Sequence, residues 1–338
     1  MFNPKYTLTK ELLDNISAIE RLYGQIEQIQ LPQSLWLNLE RDNLMQSAYV
    51  SNSIEGNPLS LAEVTNLLLD SRVPANRNEK EIANYFGILK KLPLLKNFTL
   101  QTLLDIHKEL LAGVNDEIAG IIRDDIVVVG NKVMTTAGVK LIVKHNPPYH
   151  KREDIINHLS GLVDWVEQDK QTLPILKAAI FHHHYVYLHP FVDGNGRTCR
   201  LLTAFLLILN GYMINKYFVL DDYYDIDRKL YSDKLSSADT GDLTQWLQYF
   251  TTGIKYSLQS AIAKAKNSLS LIEISLRPTT RQSQILEHFS QIGEFTAEEV
   301  MQLLNISRQQ ANNLIRGLIE KGRISKQGKT KGVYYKIV

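Results

Sequence analysis

The run His189, Pro190, Phe191, Val192, Asp193, Gly194, Asn195, Gly196, Arg197, Thr198, Cys199, Arg200 holds the densest set of reactive side chains in the chain. A histidine acts as a general base while its imidazole is neutral, and surrounding positive charge is expected to keep His189 in that form. Asp193 is a carboxylate of the kind Mg²⁺ takes together with phosphate oxygens. Gly194 and Gly196 flank Asn195 and let the backbone adopt positive φ, so that several N–H groups face one anion. The apolar run Leu201 to Leu209 predicts a buried helix beginning near Arg197, whose unpaired N–H groups and positive dipole end point at the same spot. Arg197 and Arg200, three apart, share one face of its first turn. Two cations at a helix N-terminus are unfavourable unless a strong anion joins them, which implies a di- or triphosphate. Each feature alone is an ordinary turn, a structural histidine or an ion-pair arginine. Their order and spacing make them one site.

Helices must position that site. Leu12, Leu13, Ile16, Ile19 and Leu22 recur at helical spacing, as do Leu39, Leu44, Met45, Ala48 and Ile54. Ser60 to Glu63 reads as a capping box for a helix through Leu69, and Thr99 and Thr102 offer caps for one carrying Ile106 and Leu110. Helices are predicted over 155–166, 176–188, 228–235 and 243–258, with a connecting helix or linker up to Pro278. The β-branched runs Ile126–Val129 and Val139–Val143, separated by a segment with Gly130, Asn131 and Gly138, predict a hairpin flap.

A composition shift near residue 279 marks a second module. Gln282–Phe289 is one helix, Thr296 caps a second through Leu304, and Ser307 caps a third through Glu320. Gly322–Ser325 and Val333–Ile337 then form a hairpin, completing the order of a winged helix. From Arg308 to Lys336 there are eight basic residues and one acidic, Glu320. Arg308, Gln309, Asn312 and Asn313 could reach base edges from the third helix, although such modules also dock proteins.

The whole chain carries 38 basic and 36 acidic residues, a net +2 that excludes a nucleic-acid coat or a membrane surface for the molecule at large. A lone Cys199 precludes an intrachain disulfide, and the start of the chain lacks the apolar run of a signal peptide. No stretch approaches the roughly 18 apolar residues of a membrane span. A cytoplasmic protein is expected. His182, His183 and His184 invite a metal reading, but consecutive helical side chains diverge, so His182 is expected to bond beneath the site.

The string His189–Arg200 resembles the Fic family signature H-x-F-x-D/E-G-N-G-R-x-x-R at every fixed position. The lead-in with His182, Tyr185 and Leu188, the Gly120–Arg123 segment with the hairpin ending in Pro147 and Pro148, and Asp242–Trp246 are similar to that family's flanking elements. The resemblance reaches from the N-terminus to about residue 255. It implies a mainly α-helical fold: an N-terminal segment (1–95), a Fic core with a flap (96–255), a linker helix (256–278) and a winged helix (279–338).

The resemblance also implies transfer of AMP from ATP to a Ser, Thr or Tyr hydroxyl of a target protein, with release of pyrophosphate. His189 would be the base, Asp193 would hold Mg²⁺, and Gly194, Asn195 and Gly196 would form the anion hole. Arg197 would sit on the phosphates and Arg200 on the γ-phosphate, while the flap aligned the target by strand pairing. Self-modification, AMP removal and use of another nucleotide stay open, as does a nucleotide-responsive DNA-binding regulator acting through the winged helix. The expected partners are the target protein and DNA or a protein for residues 279–338, with a homodimer left open and no membrane. The family's N-R-x-x-Y-Y element reads Asp227, Arg228, Lys229, Leu230, Tyr231, Ser232 here, so only Tyr231 is placed in the adenosine pocket.

Ser51 to Gly56 resembles the inhibitory-helix motif S/T-x-x-x-E-G/N of class II members. Ser51 and Glu55 share a helix face, and Gly56 predicts a helix end at which a carboxylate is disfavoured without a partner cation. The resemblance supplies Arg200 as that cation.

Overall fold

The computed structural model describes residues 2–70, 72–135, 138–329 and 332–338, with the backbone alone over 131–142 and 271–275. It is mainly helical. The chain forms two compact units, Met1–Lys264 and Ala265–Val338.

The first unit opens with α1 (Lys10–Glu27) and α2 (Gln33–Ile54), then α3 (Leu61–Leu69), α4 (Arg77–Lys91) and α5 (Leu100–Leu111). Thr9, Asn76 and Thr99 cap α1, α4 and α5 through side-chain oxygens, and Ser60 with Glu63 closes the expected capping box on α3. Strands β1 (Val129–Thr135) and β2 (Gly138–His145) form the hairpin, followed by α6 (Arg152–Gln168), α7 (Pro174–Leu188) and α8 (Asn195–Leu209). Helices α9 (Asp221–Ile226) and α10 (Arg228–Ser237) follow, and then α11 (Thr244–Leu276), whose residues from Ala265 on are counted with the second unit.

Helices α7 and α8 are buried over most of their length and belong to the core, with apolar residues predominating and the polar ones of α8 gathered toward its N-terminus. Phe98, Phe181, Phe191, Phe205, Trp246 and Phe250 fill the space about them. The loop joining these two helices is therefore mounted on two buried core helices.

Two local expectations are corrected, and one short helix was not foreseen. The first strand begins at Val129 rather than Ile126, because the ladder pairs Val129 with His145 and closes at Thr135 with Gly138. The ladder shifts register between Val129 and Gly130, and His145 anchors this base of the hairpin: its Nδ1 meets Asp239 Oδ2 at 3.0 Å and its Nε2 meets the Tyr187 carbonyl at 2.9 Å. Ile126 and Val128 are left exposed without a strand partner. The helix expected over 243–258 and the connecting segment after it form one continuous helix, α11 (Thr244–Leu276), since neither glycine nor proline interrupts it between Gly253 and Leu276. Helix α9 is too short for its periodicity to be read.

The second unit contains α12 (Thr280–Phe289), β3 (Glu294–Phe295), α13 (Ala297–Leu304), α14 (Arg308–Glu320), β4 (Ile324–Gln327) and β5 (Tyr334–Ile337). Capping boxes at Thr279, Thr296 and Ser307 start its three helices. The strands pair antiparallel in the order β3-β5-β4. Ile285, Phe289, Val300, Ala311, Ile315 and Leu318 belong to a separate apolar core. Among the described residues no helix is long and apolar enough to cross a membrane.

Candidate active site

Helix α7 ends at His189, which takes a left-handed conformation (φ 48°), and Gly194 takes another (φ 78°) immediately before α8. Between these two bends the loop is pinned by side chains. The Asn195 amide accepts from the Phe191 N–H at 2.9 Å and donates to its carbonyl at 2.8 Å. Phe191 is fully buried and stacks on His107, with ring centroids 3.5 Å apart. Nδ1 of His107 accepts from the Gly120 N–H, which leaves Nε2 to donate to the Asp193 carbonyl at 3.0 Å.

Arg123, buried on the segment before the hairpin, does most of the remaining fastening. It donates from Nε to the His189 carbonyl at 2.7 Å and from Nη2 to the carbonyls of Tyr149 (2.7 Å) and Leu188 (3.2 Å). Nη1 reaches the Asp125 carbonyl, and its backbone N–H reaches Pro190. Neither Arg123 nor His107 carries a sequence signal as a site residue; Arg123 appears only within the segment resembling the flap. Each buried carbonyl left unpaired costs about 1–3 kcal/mol. Arg123→Ala is therefore expected to lower the denaturation midpoint and to loosen the loop. Chemical unfolding that matches wild type would contradict this assignment.

The predicted site residues come together, with changes in detail. Arg200 is buried and donates from Nε to Ser51 Oγ at 2.7 Å, and from Nη2 to the Ser51 carbonyl and to Glu55 Oε1, both at 2.8 Å. Glu55 stands at the C-cap of α2, before Gly56 at φ +90°, so its carboxylate has found the cation that its position demanded. Gly196 is not a positive-φ residue; it lies within α8. Its lack of a side chain serves another end, because a Cβ there would meet Glu55 Oε1 at 2.1 Å. The Glu55 carboxylate thus occupies the space over the first turn of α8, where the helix N-terminus favours an anion.

Arg197 turns to other partners. Its Nη1 lies 3.5 Å from Glu81 Oε1 and 3.4 Å from Asn52 Oδ1, and its Nη2 lies 3.5 Å from Asp193 Oδ1. These contacts are long, and its buried Nε has no partner. Glu81 and Asn52 were not legible as site residues. Asp193 is part exposed, accepts from the Gly194 N–H at 2.6 Å, and lies 3.4 Å from Arg77. The two arginines that share a helix face are thus held by separate acids, Glu81 with Asp193 and Glu55.

His189 is pushed down to about 4, chiefly by burial, then by His145 and Arg123, while Glu55 pulls it upward. The sequence expectation assigned this to positive charge alone; loss of solvation is the larger cause. Its Nδ1 meets no hydrogen-bond partner. His182 bonds Thr203 Oγ1 at 3.0 Å and the Tyr231 hydroxyl at 2.8 Å, His183 bonds Asp239, and His184 packs on Phe2. The triplet does diverge, and no metal-binding group of three or more such ligands occurs among the described residues. Cys199 is buried. Tyr231 was expected at the adenosine pocket. It is buried, stacked on Tyr224 at 4.4 Å with its hydroxyl engaged by His182, so it presents no free ring face.

The buried histidines are expected to make the fold acid-sensitive. Burial lowers His107 and His189 to about 4 and His184 to about 3, and holds His182 well below its ordinary value. Between about pH 6.5 and 4 the unfolded chain then binds more protons than the folded one, so stability falls as pH falls through that window. Asp221, raised to about 6 by burial, acts in the opposite sense and offsets only part. Tm is expected to drop between pH 6.5 and 4, and a flat profile would contradict this.

Residues 97–207 match the model of the Fic/DOC family. The chain carries a Fic domain. It is 28% identical over 242 residues to the protein adenylyltransferase fic-1 of Caenorhabditis elegans, covering 68% of this chain and 43% of that one. It is 30% identical over 223 residues to the protein adenylyltransferase Fic of Culex quinquefasciatus, covering 62% and 40%. The chain spans about half the length of the curated relatives it matches. Its fold is that of a Fic family protein from Desulfovibrio desulfuricans G20 (TM-score 0.67, 22% identity, 100% of this chain and 98% of that one). It is also similar to the solved structure of Fic-1 from C. elegans (TM-score 0.60, 24% identity, 76% and 73%). The Fic match covers α5 through most of α8, the elements that hold His107, Arg123 and the His189–Arg200 loop.

Proposed function

We propose that the chain is a protein adenylyltransferase restrained by its own helix α2. The observation that carries this reading is the Glu55 carboxylate over Gly196, paired with Arg200 at 2.8 Å. A carboxylate there is a substitute for a phosphate: it meets the same arginine and the same helix N-terminus that a nucleotide would need. The curated relatives named adenylyltransferase support the choice of reaction.

In the reaction, a hydroxyl oxygen of the target attacks the α-phosphorus of ATP. The bond from that phosphorus to the bridging oxygen breaks, and pyrophosphate leaves. His189 takes the hydroxyl proton, which its neutral imidazole allows. Once Glu55 has withdrawn, the Arg200 guanidinium can turn its Glu55-facing edge to the γ-phosphate, and Arg197 turns its long contacts to the phosphates. The N–H groups of Asn195 and Gly196 at the start of α8 face the anion, while the Gly194 N–H stays with Asp193. The Asn195 side chain stays with Phe191 and contributes position rather than charge.

Asp193 fits a Mg²⁺ site in its chemistry: a single part-exposed carboxylate whose arginine contacts are long, suited to an ion that takes its remaining oxygens from phosphates and water. Bound there, Mg²⁺ would neutralise phosphate charge. The β1–β2 hairpin, tied to the body through His145, would present a strand edge to the target segment. Incubation with ATP labelled at the α- or at the γ-phosphate tests the reading. Label is expected on protein from the α-position only; retention of the γ-label would contradict it.

A further inference from the structure

Nothing in the adenylyl-transfer reading uses the second unit. We infer that residues 279–338 bind duplex DNA, with α14 entering the major groove and the β4–β5 hairpin lying along the backbone.

Charge is concentrated here. The segment 308–336 holds eight basic residues and one acidic, leaving 30 basic against 35 acidic in the remainder of the chain. A weakly acidic body with one strongly basic element is the distribution expected when a local anionic polymer is bound.

The fold gives that charge a direction. Along α14, Ala311, Ile315 and Leu318 are buried against the unit's core. Arg308, Gln309, Asn312, Asn313 and Arg316 are all exposed. At 100° per residue these five span one continuous outer face, and Glu320 joins it only at the far end of the helix. A solvated helix face ordinarily mixes both signs of charge. This one holds two arginines and three carboxamides, the groups that pair in bidentate fashion with guanine and with adenine. The Asn313 Oδ1 accepts from Arg316 Nη2 at 3.1 Å, which orients both side chains outward together.

The hairpin repeats the pattern. Ser325 pairs with Lys336 and Gln327 with Tyr334, and Tyr335 turns inward to the core while Tyr334 and Lys336 are exposed. Lys326 and Lys329 are exposed nearby. Cations on a strand pair beside a carboxamide-rich helix serve phosphates, which carry no sequence information but fix register. An acidic protein partner would be met by the charge alone; the row of asparagine and glutamine on α14 favours base edges.

Full-length protein is titrated against a fluorescently labelled random-sequence duplex of about three helical turns, at several salt concentrations. Binding in the micromolar range at low salt is expected, weakening with a log–log slope of about −4 if four cations reach phosphates. The double variant Lys326→Ala, Lys336→Ala is expected to reduce that slope by about 2. The double variant Asn312→Ala, Asn313→Ala is expected to keep the slope but abolish enrichment of preferred sequences from a random pool. All four positions are exposed, and unchanged thermal unfolding confirms the variants as folded. Absence of binding at low salt, binding that ignores both double variants, or tighter binding to single-stranded RNA or a polyglutamate peptide than to duplex would overturn the inference. Adenylyl transfer is measured separately, so neither result decides the other.

Discussion

Replacing His189 by alanine in a background released by Glu55→Gly is expected to lower AMP transfer by about 10²–10⁴-fold, the ordinary contribution of a general base. ATP affinity should hardly change, because His189 lies at the end of α7 while the groups proposed for phosphate lie on α8. The loss therefore falls on kcat rather than KM for ATP. The released enzyme should also keep its rate well below neutrality. Burial sets His189 at about 4, so its neutral form persists as pH falls and is lost only near that value. Glu55 pulls His189 upward, so Glu55→Gly should move the acid limb further down. An acid limb near 6.5 would contradict the lowering by burial, and a His189→Ala variant as fast as its parent would remove His189 from the chemistry.

Glu55→Gly itself is expected to raise labelling by about ten- to a hundredfold. A charge-assisted hydrogen bond is worth about 1.5–3 kcal/mol, and each 1.4 kcal/mol is tenfold in occupancy. The Glu55 side chain is 39% exposed, which places the gain toward the lower end of that range. Arg200 would remain tied to Ser51 but would lose its counter-charge, so the nucleotide-free variant should melt earlier than wild type. ATP should restore more stability to the variant than to wild type, since ligand binding to the folded state raises Tm by mass action. Equal ATP-induced shifts in the two proteins would contradict competition between Glu55 and nucleotide.

Much of the site was legible because its residues are local. His189 through Arg200 are contiguous, and their helix is announced by the apolar run behind them. Ser51 and Glu55 were found through a motif and a helix-end argument, and the ion pair to Arg200 joins segments 145 residues apart. What was not legible depends on distant packing. His107 is one histidine among nine, and only the fold shows its ring stacked under Phe191. Glu81 sits between ordinary helix residues and becomes a site residue only when α4 places it against Arg197. Gly196 was assigned to backbone freedom, but the reason for it is a carboxylate arriving from another helix. The boundary of β1 was misread for a similar reason. The base of the hairpin is held by His145 anchoring to Asp239 and Tyr187, and the β-branched residues before Val129 find no strand partner.

The most direct test is the intact mass of the Glu55→Gly chain after incubation with ATP and Mg²⁺, alone and with candidate target proteins, beside the Glu55→Gly, His189→Ala control. The account predicts a gain of the mass of AMP on protein that is absent from the control and much smaller for wild type. A gain of any other mass, or an AMP gain that persists without His189, would contradict it.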